Sequence, residues 1–112
     1  MITKDTFRRL VIAIRDKGEV DDRKINGSLY KVCEISEMTL ILSKHERGWA
    51  PEGITFELFG AEFFLTTDGS ISIIENENED NEEIYSLDDQ ALVSVVSSFL
   101  KWRVTILEKL DV

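Results

Sequence analysis

Asp68-Gly69 separates two short runs rich in apolar and β-branched residues, Glu62–Thr67 and Ser70–Glu75. Asp-Gly between such runs is the strongest short-range hairpin signal, because both residues tolerate the left-handed backbone of a tight turn. Upstream, Ile54, Phe56 and Leu58 alternate with Thr55, Glu57 and Phe59, and Gly60 marks another turn. Residues 54–75 are therefore predicted to form an antiparallel meander of three strands. A two-residue turn would place Thr67 opposite Ser70, Phe64 opposite Ile73 and Phe63 opposite Ile74. Side chains alternate along a strand, so the last two pairs point to opposite faces. Both faces then carry large apolar groups, which calls for cover on each side, by helices or by a partner.

The first helix is marked by Phe7, Leu10, Val11 and Ile14 at i, i+3, i+4 and i+7. Thr3 is its N-cap, Ile2 and Phe7 form a hydrophobic staple, and Gly18 is its stop. Asp5 in the first turn and Arg15 and Lys17 in the last suit the helix dipole. A second helix is predicted over Asp22–Glu34, where Ile25, Leu29, Val32 and Cys33 keep helical spacing across Gly27. Residues 38–43 fit a helix or a buried strand equally well. Trp49–Gly53 reads as a loop. A long C-terminal helix is predicted from Ser86 to about Leu110, with an apolar arc wider than one core surface needs. Such a helix is either a central core element or joins a partner. The fold class is thus α+β: one or two N-terminal helices, an antiparallel meander of three to five strands, and a long C-terminal helix packed on the sheet. With 112 residues, 43% hydrophobic and 31% charged, the chain reads as a single domain over 1–112.

The net charge is −9 and is unevenly distributed: residues 1–33 carry +3 and the remainder −12. A surface of this sign repels phosphate backbones and attracts basic proteins. Glu75–Asp89 concentrates the acidity, with Glu75, Glu77, Glu79, Asp80, Glu82 and Glu83 interleaved by asparagines and no basic residue. The run is expected to be an exposed loop that offers carboxylates to a basic groove, in place of the phosphates of a nucleic acid. It lacks the glycine and spacing of an EF-hand. The lone Cys33 cannot form an internal disulfide, and with His45 alone beside it no zinc site is expected. Met1–Asp16 is too charged for a signal peptide, and no run approaches the ~20 apolar residues of a membrane span. A cytoplasmic protein is expected.

Motifs for catalysis are sparse. Cys33 and His45 are the only candidates for a thiol–imidazole pair. No serine sits in a Gly-x-Ser-x-Gly elbow and no glycine-rich loop is suited to phosphates. No cofactor is expected, and protein binding is favoured over catalysis.

Two resemblances frame that expectation. In size and charge the chain resembles small bacterial immunity proteins and phage inhibitors of host enzymes, which implies a basic partner held through the acidic run. In element order it is similar to type III secretion chaperones, although no helix is evident after Leu58. That likeness implies a homodimeric adaptor using the C-terminal helix and one sheet face, around Phe63, Leu65, Phe99 and Trp102.

Overall fold

A computed structural model describes residues 2–58, 60–76 and 89–110. Helix α1 spans Lys4–Lys17 and is followed by six strands: β1 (Glu19–Ile25), β2 (Ser28–Ile35), β3 (Met38–His45), β4 (Gly48–Leu58), β5 (Ala61–Thr66) and β6 (Ile71–Asn76). Helix α2 spans Asp89–Glu108. The strands form one antiparallel sheet in the order β1-β2-β3-β4-β5-β6. The predicted α+β class holds, with six strands in place of three to five. No helix among the described residues is long and apolar enough to cross a membrane.

Helix α1 begins where the sequence marks it. The Thr3 hydroxyl accepts from the Thr6 amide at 3.2 Å. Leu10 and Ile14 are fully buried. Gly18 ends the helix, but with φ −87, so no left-handed conformation selects the glycine. Close packing does: a Cβ there would lie 2.6 Å from the Ile14 carbonyl oxygen and 2.8 Å from Cys33 Sγ.

The helix predicted over Asp22–Glu34 is instead the β1–β2 hairpin. Asn26 (φ 51) and Gly27 (φ 85) are both left-handed, as a two-residue type I′ turn demands, and Ile25 pairs with Ser28. Residues 38–43 belong to β3, with Met38, Leu40 and Leu42 buried between less buried Thr39, Ile41 and Ser43.

The β5–β6 turn lies at Asp68-Gly69 but holds three residues, Thr67 to Gly69. The Thr66 amide donates to the Ser70 carbonyl at 2.9 Å, and the Gly69 amide to the Thr66 carbonyl at 3.1 Å. Only Gly69 in this loop has a positive φ, so the type I′ turn that Asp-Gly suits, which needs two such residues, is not formed. The Asp68 carboxylate accepts from the Ser70 amide at 3.0 Å and from the Thr66 hydroxyl, which holds its pKa below the usual range. The register slips by one: Phe63 faces Ile73 and Phe64 faces Ser72. A bulge between Glu62 and Phe63 restores the pairing of Glu62 with Glu75.

Both helices cover one face of the sheet. Their buried residues Leu10, Ile14, Val96, Leu100 and Leu107 share a cluster with Cys33, Leu40, Ile54, Phe56, Phe63 and Leu65. Phe56 stacks on Phe63 (centroids 5.5 Å) and on Phe99 of α2 (5.8 Å), joining strand to strand and sheet to helix. The other face carries no helix among the described residues. There Phe64 lies across Gly53, where an added Cβ would come within 2.3 Å of the ring. Of the apolar groups expected to need cover, Phe63 lies under the helices and Phe64 packs on Gly53, whereas Ile73 and Ile74 are 42% and 54% exposed.

Candidate protein-binding surface

Alternate turns of a meander lie at opposite ends of the sheet. The β2–β3 and β4–β5 turns share one end with the start of β1 and the end of β6. Glutamates gather there by register. Glu19 is opposite Glu34, Glu57 is opposite Glu62, and Glu62 is opposite Glu75 on its other side. In the pairs Glu19/Glu34 and Glu57/Glu62, directly opposed Cβ atoms are roughly 4.5–5.5 Å apart, so these like charges repel.

Glu19, Glu34, Glu37, Glu57 and Glu62 line a concavity of about 610 Å³, together with Thr39 and Thr55. Of these five, Glu34 alone has an ion-pair partner among the described residues: Arg23 Nη2 at 2.8 Å. Both members of that pair are about half exposed, so water screens the attraction. The removal of like-charge repulsion makes a simple prediction. Glu57→Gln combined with Glu62→Gln should stabilise the fold by about 0.5 kcal/mol, seen as a higher urea midpoint. A lower midpoint would show that the two carboxylates support the fold.

The β2–β3 turn forms one wall. Ser36 (φ 50) and Glu37 (φ 65) are both left-handed, although neither is glycine or asparagine. Each costs roughly 1–2 kcal/mol relative to ordinary backbone. Arg103 of α2 braces the turn by donating from Nη2 to the Ser36 carbonyl at 2.6 Å. Its guanidinium also lies 5.9 Å from the Phe99 ring and 5.8 Å from the Trp102 ring. Arg103 therefore links the acidic concavity to the aromatic side of α2.

The residues predicted from sequence are placed as follows. The backbone of Glu75 lies in β6 at the acidic end. Glu77, Glu79, Asp80, Glu82 and Glu83 lie outside the described residues, as does the Ser86 cap. The described chain leaves β6 at Asn76, opposite Ala61, at this same end. Phe63 and Leu65 are fully buried under the helices and present no surface. Phe99 is half-buried, and Trp102 is 55% exposed.

Cys33 and His45 are not brought together. Cys33 is fully buried, its thiol donates to the Ile14 carbonyl at 3.0 Å, and burial pushes its pKa up. His45 is exposed at the far end of β3, beside Ser43 and Glu52. That trio does not form a catalytic triad. Glu52 accepts the Ser43 hydroxyl proton and approaches the same Nε2 that contacts Ser43, whereas an orienting carboxylate must hold the other ring nitrogen. No group of three or more His, Cys, Asp or Glu among the described residues is arranged to hold a metal ion.

Sequence reasoning missed the glutamates of the concavity. The available signal was Asn26-Gly27: a hairpin there sets Glu19 opposite Glu34. Gly60 likewise sets Glu57 opposite Glu62. The chain matches no protein-family model, no curated protein and no solved structure. Any reading of function therefore rests on the surface itself.

Proposed function

We propose that this protein is a protein-binding domain whose acidic end captures a basic partner. One observation carries the reading: five glutamates from four strands and a turn line one concavity, four of them without an ion-pair partner among the described residues. Opposed glutamates weaken a sheet, so their placement costs stability that a cationic partner would return by neutralising them. Strand β6 ends at Asn76 at the same end, and the sequence there continues into the acidic run that begins at Glu75. An inhibitor, an immunity protein or an antitoxin would use such a surface to cover a basic groove.

The test is capture from source-cell lysate with stepwise salt elution, comparing the native chain with a variant carrying Gln at positions 34, 37, 57 and 62. A basic protein retained by the native chain, released at moderate salt and lost with the variant is the expected result. Equal retention by both proteins would refute the role of the concavity.

A further inference from the structure

Helix α2 buries one stripe, Val96, Leu100, Val104 and Leu107, in the core. A second apolar stripe runs beside it. Val95, Phe99, Trp102 and Ile106 follow the i, i+4, i+7, i+11 pattern of one helix face. Val95 is 37% exposed, Trp102 55% and Ile106 38%, with Phe99 half-buried beneath the Trp102 ring (centroids 6.1 Å). This is the uncovered part of the wide apolar arc that the sequence shows. Arg103 ties the stripe to the acidic concavity, because its guanidinium contacts both rings and its Nη2 reaches Ser36 on the concavity wall.

We infer that this face of α2 is the apolar anchor for the same basic partner, and that the partner presents an amphipathic segment. Apolar side chains of that segment pack on Trp102, Val95 and Ile106, and its lysines or arginines reach over the β2–β3 turn to Glu37 and the concavity. The inference rests on the reading of the acidic end given above. Charge decides among the occupants. A second copy of this chain on the same face would bring two acidic ends together in a chain of net charge −9. An anionic membrane or a nucleic acid would meet the same carboxylates. A basic protein segment is the occupant that satisfies both the apolar stripe and its charged neighbour. An exposed tryptophan backed by an aromatic ring and an arginine also has the composition typical of interface hot spots.

Two synthetic peptides of equal length and equal positive charge serve as probes. One is a Leu/Lys amphipathic helix former, and the other has serine in place of every leucine. Binding to the full chain is measured by isothermal titration at low and high salt, and the Trp102 indole resonance is followed by NMR. The Leu/Lys peptide should bind about tenfold more tightly than the Ser/Lys peptide, shift the indole signal and keep part of its affinity at high salt. Trp102→Ala should bring the two peptides to similar affinity while leaving the Ser/Lys peptide unaffected. Because Trp102 is largely exposed, that variant is expected to fold, and Ile106→Ser gives an independent second test. Equal affinity of both peptides for the native chain, or unchanged preference in both variants, overturns the anchor while the acidic reading stands. Binding of neither peptide overturns both.

Discussion

Replacing Phe56 by alanine is expected to destabilise the protein by about 3–5 kcal/mol, a large share of the roughly 5–15 kcal/mol typical of a domain. Phe56 is 1% exposed and sits at the meeting point of three structural elements. Its ring stacks on Phe63 of the neighbouring strand and on Phe99 of α2. Its backbone pairs with Met38 on one side and Phe63 on the other. Truncation removes apolar area and leaves a cavity that two β-strands cannot close by moving, because their ladders fix their spacing. Urea denaturation followed by circular dichroism gives the value. Phe56→Leu retains most of the volume and should lose less. A Phe56→Ala protein with a near-native midpoint would mean that α2 is not seated on this ring.

Gly18→Ala is expected to destabilise the fold by about 2–3 kcal/mol, although alanine is normally tolerated at φ −87. The reason is proximity. The added methyl would meet the Ile14 carbonyl oxygen at 2.6 Å, Cys33 Sγ at 2.8 Å and the Glu34 carbonyl oxygen at 3.0 Å. Two of these are backbone atoms, one in α1 and one in β2. The third belongs to a fully buried thiol already bonded to Ile14. Relief requires α1 to lift from the sheet. A thermal melt of the variant measures the loss. An unchanged melting temperature would show that the helix–strand junction has slack that the distances deny.

The parts of the fold with strong local signals were legible in the sequence. Thr3 and Gly18 bound α1 because capping and termination act over a few residues. The meander from Ile54 onward follows from strict alternation and from Gly60 and Asp68-Gly69. The β1–β2 hairpin was not legible from periodicity, for a physical reason. Strand β1 is an edge strand exposed along its whole length, so nothing in its sequence alternates between core and water. Val32 and Cys33 are adjacent and both buried, which imitates a helix face. Asn26-Gly27 was the informative feature, since its two residues can both take positive φ. The register error at β5–β6 has a similar origin, because Asp-Gly serves two- and three-residue loops alike and the Asp68 carboxylate selects the longer one.

The candidate site was legible only as a sum of charge. Glu19, Glu34, Glu57 and Glu62 are unremarkable in the sequence and become neighbours only through the hairpin registers. Trp102 was found as an apolar surface residue, whereas Phe63 and Leu65 lie beneath both helices. Local pattern cannot distinguish an apolar strand face that meets a helix from one that meets a partner.

The central claim is that the acidic end steers a basic protein into place. The most direct measurement is the association rate of the captured partner as a function of ionic strength, for the native chain and for the variant with Gln at 34, 37, 57 and 62. The rate should fall steeply with salt for the native chain, and should be slower with a flatter salt dependence for the variant. Identical slopes for the two proteins would contradict the claim.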